Sequence, residues 1–441
     1  MKYYKRDIEI ELTRWKNDKQ RQPLLVRGAR QVGKSSVIKS FSNQFKYFVE
    51  VNFEQDEDVK KIFEGNLRPI SICEQLSVFY DTPIIPNETL LFFDEIQSCL
   101  RAISSLRFFY EQYPDLHVIA AGSLLEFALS ELPSFGVGRV SSMFLYPFSF
   151  GEFLIAANAD MLRKAIKEAS PEQPLPEALH LKALDLYKRF LILGGMPKVI
   201  STYFESGDLL SCQRMLDGLI LAYEDDFSKY KKTTSPLLLR MVFKSVVEQN
   251  GNKYMYSKAL PDTNHLQVKD ALEFLTMAGL ILPVTHSAAN GIPLGAEINP
   301  KMRKFIVFDS GIFQCILGLK LSDILINSDF ASINKGAIAE LNVGLELVKS
   351  ASCYQRQNLY YWHREAKSSN AEVDYIIQQN EKILPIEVKS GTKGSMQSMQ
   401  IFMETKKIDM GIRTSQENFS KFQNIVVYPL YAISNLQIQT I

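Results

Sequence analysis

Gly28-Ala29-Arg30-Gln31-Val32-Gly33-Lys34-Ser35 satisfies the pattern G-x-x-x-x-G-K-[ST] at every fixed position. The glycines free the backbone to curl until successive N–H groups point at phosphate oxygens. A helix beginning near Lys34 aims its positive end at the same point. Lys34 is then placed to reach the β and γ phosphates, and the Ser35 hydroxyl to ligate magnesium. The expected nucleotide-binding residues are therefore Gly28, Ala29, Arg30, Gln31, Val32, Gly33, Lys34, Ser35 and the following Ser36. An apolar run at 24–26 precedes the loop and an amphipathic stretch follows it, so the pattern sits between a strand and a helix as a phosphate loop requires.

Further apolar runs at 47–53, 89–93, 117–121 and 143–145 alternate with helical stretches. That alternation indicates a parallel sheet flanked by helices. The second half of the site should be an acid on a strand neighbouring the loop. The run 89–93 ends in Asp94 and Glu95, at the strand edge where open α/β sheets bind ligands. Asp94 would hold magnesium through water, and Glu95 would orient and deprotonate an attacking water. Ser123 ends the run from His117. It reads equally as a hydrogen-bonding partner of the γ phosphate or as part of a Gly-Ser turn. Arg139, in Gly136-Val137-Gly138-Arg139, and Arg101 and Arg107 are the candidates for stabilising transition-state charge.

At 441 residues the chain is too long for one ordinary core, so two to four domains are expected. Fifty basic residues against 49 acidic give no global field to hold nucleic acid or an anionic membrane, so such contact would need a local patch. Five scattered cysteines fit reduced thiols, not a disulfide framework or a zinc site. Charge appears within the first residues and no uncharged apolar run approaches spanning length, so neither signal peptide nor membrane segment is expected, and the cytoplasm is the default.

Residues 1–20 read as an amphipathic helix carrying Ile8, Ile10, Leu12 and Trp15. The tract 158–180, with Pro171, Pro174 and Pro176, reads as an exposed connection, and 181–230 as mostly helical. A second helical block, 235–278, passes through a turn at 261–264 to a helix at 267–278. It runs into the strand 280–284 and a hairpin at Gly291 and Gly295. That order looks like a winged helix. Its second helix offers one lysine, Lys269, against Asp270 and Glu273, which favours a packing or regulatory module over a DNA reader. A helix at 335–350, strands at 359–362, 372–377 and 384–388, and a helix at 396–404 complete the chain, with a boundary near 320–330.

The ordered set of motifs resembles a family of prokaryotic AAA-type ATPases with a C-terminal domain of unknown function, related to archaeal ATPases and signalling NTPases. Its carriers are the phosphate loop, Phe92-Phe93-Asp94-Glu95-Ile96-Gln97, Ala121-Gly122-Ser123 and Gly138-Arg139-Val140. The set continues with Leu145-Tyr146-Pro147-Phe148-Ser149-Phe150-Gly151-Glu152-Phe153, Gly194-Gly195-Met196-Pro197 and Phe308-Asp309-Ser310-Gly311. Lys335-Gly336 with Glu340, and Ile386-Glu387-Val388-Lys389-Ser390-Gly391, close it. The resemblance implies a sensor role for Ser123 and promotes Arg139, acting in its own subunit or a neighbour's. It makes Pro197 part of a Gly-x-Pro turn that contacts nucleotide.

Near the end, Asp374 starts a strand, and Glu387 and Lys389 share one face of the next. Two acids and a lysine across a hairpin form the core of a PD-(D/E)xK nuclease, with Glu340 completing the metal shell. The segment resembles that fold, which the family's last domain often carries. A nuclease-like fold kept for binding, or an ordinary charged hairpin, reads the same residues. Lys367, Lys382, Lys389 and Lys393 form only a modest basic cluster.

The expected architecture is an α/β multidomain chain. It comprises a P-loop AAA-type core over 1–155, a helical lid over 156–234, a winged-helix-like domain over 235–320 and a restriction-endonuclease-like domain over 321–441. The expected function is a magnesium-dependent, ATP-binding ATPase whose nucleotide state moves the C-terminal domains. The alternatives are a nucleotide-gated nuclease acting on DNA or RNA, and a signalling switch that hydrolyses ATP slowly. The phosphate motifs leave the base (ATP or GTP), the partner (nucleic acid or protein) and the oligomeric state open.

Overall fold

A computed structural model describes residues 2–132, 138–228, 234–259, 264–321, 335–364, 371–392 and 394–438. Gly136, the turn residues 261–263, the boundary tract 322–334, Lys367 and Lys393 lie outside the described residues.

The chain begins with helix α1 (Ile8–Asn17), then strand β1 (Leu24–Arg27), α2 (Lys34–Ser42), β2 (Tyr47–Asn52) and α3 (Pro69–Phe79). It continues through β3 (Thr89–Asp94), α4 (Leu100–Gln112), β4 (His117–Ala121), α5 (Leu125–Glu131) and β5 (Ser141–Phe144). The five strands form one parallel sheet in the order β2-β3-β4-β1-β5. Every residue of β3 and β4 is buried, because helices cover both faces. Alternate residues feed opposite cores: Leu24 and Val26 enter one cluster and Leu25 the other.

Two expectations change here. The acid-bearing strand β3 does not neighbour β1; β4 lies between them. In α1, Ile8, Leu12 and Trp15 are buried but Ile10 is 53% exposed, since only positions spaced by three and four share the inward face.

Five helices follow: α6 (Phe150–Ala156), α7 (Asp160–Glu168), α8 (Glu177–Leu193), α9 (Pro197–Ser206) and α10 (Leu209–Phe227). The tract read as an exposed connection thus holds a helix, α7, whose Leu162 and Ile166 are four apart and buried. Three more helices follow, α11 (Pro236–Glu248), α12 (Tyr256–Ala259) and α13 (His265–Met277). The hairpin β6 (Ile281–Ser287) and β7 (Ile298–Val307) leads to α14 (Ser310–Ile316).

The last part comprises α15 (Lys335–Lys349), β8 (Leu359–His363), β9 (Glu372–Gln379), β10 (Lys382–Val388) and α16 (Gln397–Lys406). After these come β11 (Gly411–Ser415), β12 (Ser420–Phe422) and β13 (Ile425–Pro429), which the patterning did not anticipate. All join one sheet ordered β12-β13-β11-β10-β9-β8-β6-β7. The β6–β7 hairpin is therefore not a free wing. Strand β6 pairs in parallel with β8, Val284 opposite Leu359, so the boundary placed near 320–330 divides a single sheet. Among the described residues, no helix is long and apolar enough to cross a membrane.

His117 joins α1 to the first sheet. Its ring packs edge-on against Trp15 at 5.7 Å and Phe45 at 4.9 Å, with Nε2 3.1 Å from the Lys16 carbonyl. The other nitrogen, Nδ1, is buried without a hydrogen-bond partner. Burial pushes the imidazole pKa down to about 4. The unfolded chain therefore binds the proton more readily, and stability should fall as pH drops below the unfolded value of about 6.5. Between pH 7 and 5 the wild type should lose on the order of 1 kcal/mol that His117→Gln does not lose. Urea midpoints at the two pH values check this; parallel losses in both proteins would contradict it.

Candidate nucleotide site

Three positive φ angles curl the loop between β1 and α2: Gly28 at 149°, Gln31 at 63° and Gly33 at 97°. Gly28 cannot be replaced without movement, because a Cβ there would lie 2.1 Å from the Leu145 carbonyl oxygen. Gly33 precedes α2 and offers no side-chain cap, so the first N–H groups of the helix are left to a ligand. Lys34 folds back over the loop and donates to the Gly28 and Ala29 carbonyls, both at 2.9 Å. Burial pushes its pKa down to about 8, against the opposing pull of Glu95 and Asp94.

Distant elements grip the same loop. Arg6 donates to the Val32 carbonyl at 3.1 Å and is itself held by Glu152 at 3.0 Å. Glu152 also forms a capping box with Ser149 at the start of α6. Tyr223 of α10 donates to the Arg30 carbonyl at 3.0 Å, and the Arg30 guanidinium pairs with Asp226 one turn further on. Pro197 at the start of α9 lies 3.5 Å from where a Gly33 Cβ would stand. The turn before Pro197 is fixed by Asp309. Its carboxylate accepts the Gly195 N–H at 2.6 Å and caps α14 through Gly311 and Ile312 at 2.9 and 3.0 Å.

The acids meet the loop at the C-terminal edge of the sheet. The Ser35 hydroxyl lies 2.9 and 3.1 Å from the two Asp94 carboxylate oxygens. Burial raises the Asp94 pKa. A hydroxyl beside a buried carboxylate is the oxygen donor set that a hard cation such as Mg2+ takes. Glu95 sits in the left-handed region, φ 48° and ψ 43°, which turns its side chain away from Asp94's strand direction. Its carboxylate accepts from Gln97 at 2.7 Å and lies 3.4 Å from the Ser123 hydroxyl and N–H. Gly122 permits that approach, since a Cβ there would sit 2.0 Å from the Gln97 side-chain oxygen. Ser36 is exposed on the first turn of α2.

Arg139 is not at this edge. It pairs with Glu111, near the C-terminus of α4, and precedes β5 at the end where the parallel strands begin. A residue there faces the opposite side of the sheet from the loop, which excludes Arg139 from the nucleotide site of its own chain. Arg101 donates to the Phe63 and Gly65 carbonyls at 2.6 and 2.8 Å, and Arg107 stacks on Phe108 at 4.4 Å.

The C-terminal residues do converge, around an ammonium that the spacing did not reveal. Lys304 of β7 is buried, donates to Glu340 at 3.0 Å and pairs with Glu372. Asp374 accepts the Val388 N–H at 2.7 Å, and Lys389 donates to Glu387 at 2.7 Å. Burial pushes Glu340 up to about 8 and Glu387 up to about 7, Asp374 adding to both while Lys304 and Lys389 oppose. For Lys304, burial pulls down but Glu340, Glu372 and Asp374 prevail and raise it. Among the described residues, no group of three or more His, Cys, Asp and Glu side chains is arranged to hold a metal ion.

A family model described as an AAA domain matches residues 20–154. Two models described as domains of unknown function, DUF8612 and DUF4143, match residues 184–323 and 335–433. Residues 20–154 therefore carry an AAA domain, followed by two domains of unknown function. The chain is similar in structure to the Walker-type ATPase paby2304 of Pyrococcus abyssi, with 16% identity and a TM-score of 0.48 over 72% of this chain and 96% of that one. It is also similar to the Aeropyrum pernix ORC1 protein in complex with DNA, at 13% identity and TM-score 0.31 over 72% and 92% of the two chains. AMPPCP-bound DnaA from Aquifex aeolicus is similar at 13% identity and TM-score 0.26, over 62% of this chain and 90% of that one. No curated protein matches the chain.

Sequence reading missed Arg6, Tyr223, Asp226 and Lys304. Arg6 and the helix face of Tyr223 and Asp226 carry no local pattern. Lys304 opens the apolar run at 305–308, and a charge entering such a run was the signal available. Removing Lys304 strands the Glu340 carboxylate without its cation and leaves the partly exposed Glu372 unpaired from it, so Lys304→Met should cost about 3–5 kcal/mol. Lys389→Met, at a less buried pair, should cost distinctly less. Urea unfolding at pH 7 compares them, and equal costs would contradict the central position given to Lys304.

Proposed function

We propose that the chain binds ATP with Mg2+ at the phosphate loop and hydrolyses it. The observation that carries this reading is the meeting of Ser35 with Asp94, and of Glu95 with Ser123, beside Lys34 at one sheet edge. Lys34 binds the phosphates, Ser35 and Asp94 hold the metal, and Pro197 packs beside the loop under the nucleotide. The metal supplies charge neutralisation at the phosphate oxygens. Glu95 takes a proton from the attacking water, and Ser123 fixes the position of the water or of the γ phosphate. The left-handed turn at Glu95 and its bond from Gln97 support that role, because both fix a base that a binding-only site does not need.

Nucleotide state then passes to the rest of the chain through α10 and Gly279, which lie against Arg30 and Ala29. The helices α11 to α13 with the β6–β7 hairpin keep the order of a winged helix. Lys269 lies 3.6 Å from Glu273 and is partly neutralised, which supports a packing or regulatory role over DNA reading. The C-terminal cluster has better support as a charge-balanced core than as a nuclease, since Lys304 lies among the carboxylates that a metal would need.

Lys34→Ala should abolish magnesium-dependent ATP affinity. Glu95→Gln should bind ATP like the wild type yet release phosphate at least about 100-fold more slowly. Ser123→Ala should slow release by less. Phosphate release and nucleotide titration measure these outcomes; wild-type turnover by Glu95→Gln would remove the base from its assigned place.

A further inference from the structure

Arg139, a candidate charge stabiliser, lies at the end of the sheet away from the loop, so its own chain does not bring it to the γ-phosphate side. Three other arginines lie at or near the loop. Arg6 is buried against Glu152, and Arg27 is 3.4 Å from Glu126. Arg30 differs from both. It belongs to the loop itself and its side chain is 37% exposed. Its ion-pair partner, Asp226, comes from α10.

Several observations put Arg30 on the γ-phosphate side. Arg30 and Ser123 line one small cavity together with Tyr223, Asp226, Phe227 and Phe274. Ser123 is the residue that meets Glu95. Glu95 is also among the anions whose field acts on Arg30. The cavity therefore joins the loop, the end of β4 and two helices of the later blocks. Tyr223 and Asp226 are three apart on α10, so they lie on one helix face and hold Arg30 by its carbonyl and its guanidinium together.

We infer that Arg30 is the chain's own γ-phosphate cation, and that Asp226 competes with the γ phosphate for its guanidinium. A guanidinium takes carboxylate and phosphate oxygens with the same fork geometry, so the two anions are exchangeable partners. With ADP, Arg30 stays on Asp226 and α10 stays on the loop. With a triphosphate, Arg30 turns to the γ phosphate, its ion pair with Asp226 opens and the Tyr223 bond to the loop remains. One side chain thereby reads the nucleotide and reports it to the helix. The inference rests on the nucleotide-binding reading of the loop and adds a residue that discriminates triphosphate from diphosphate.

The test is titration of AMP-PNP and of ADP, each with Mg2+, into wild type, Arg30→Gln, Asp226→Asn and the double variant. Thermal melts confirm folding of each. Arg30→Gln should weaken AMP-PNP by about tenfold or more, while ADP changes far less. Asp226→Asn should tighten AMP-PNP several-fold and leave ADP unchanged. In the Arg30→Gln background it should change neither affinity. Hydrogen exchange across 209–227 should be faster with AMP-PNP than with ADP in the wild type, and equal in Arg30→Gln. Equal weakening of both nucleotides by Arg30→Gln, or an Asp226→Asn effect that survives without Arg30, overturns the inference and leaves the phosphate loop standing. Failure of the wild type to bind either nucleotide overturns the loop reading, and this inference with it.

Discussion

The phosphate loop can curl only because Gly28 passes the Leu145 carbonyl with no room for a side chain between them. That contact sets β5 and the segment after it directly against the loop. From there the constraint spreads. Leu145 leads through Phe148 to α6, whose Glu152 holds Arg6, and Arg6 holds the Val32 carbonyl. The Phe148 N–H donates to the Gly195 carbonyl at 2.7 Å, and Gly195 donates in turn to Asp309. A chain of backbone and charge-assisted bonds thus runs from the loop past α6 and the turn before α9 to the base of α14. Most of its members are buried, where an unmade bond costs more than a made one contributes.

This arrangement gives physical content to motifs that carry no chemistry of their own. Ser149-Phe150-Gly151-Glu152 is a capping box whose acid has a second duty in clamping Arg6. Gly194-Gly195 is a crossing point. A Cβ at Gly194 would lie 2.3 Å from Asp309, and one at Gly195 would lie 2.4 Å from the Phe148 carbonyl oxygen. Phe308-Asp309-Ser310-Gly311 supplies the carboxylate that occupies the crossing. These residues are restricted because backbones pass too close for anything larger, and because a buried carboxylate there has three N–H donors to satisfy it.

The parts legible in the sequence were those written in local pattern. The five parallel strands, the loop and the pair Asp94 and Glu95 follow from apolar runs ending in polar residues, which the period of a strand makes visible. Strand order was not legible: nothing local says that β4 inserts between β1 and β3. Yet that insertion is what brings Ser123 to Glu95. Arg139 stands apart from its own chain's loop for a related reason. Its glycine-flanked loop follows the sensor strand in sequence, but the chain returns to the other end of the sheet before β5 begins. The C-terminal acids were found by spacing along two strands. Lys304, which changes their meaning, comes from a hairpin assigned to a different domain.

That hairpin also constrains how the later blocks can respond to nucleotide. Because β6 pairs with β8 and β7 contributes Lys304 to the acids of α15 and β9, the β6–β7 hairpin that follows α11 to α13 and the C-terminal strands share one continuous hydrogen-bonded body. Moving one against the other would break strand pairing and expose a buried charge cluster, which is far more costly than opening a single partly exposed ion pair. The cheap place to yield is therefore the seam over the loop, where α10 meets Arg30 through one ion pair and one neutral bond, and where Gly279 lies against Ala29. A signal from the phosphates that is worth only a few kcal/mol can open that seam and leave the fused body intact, so the later blocks should respond as one unit.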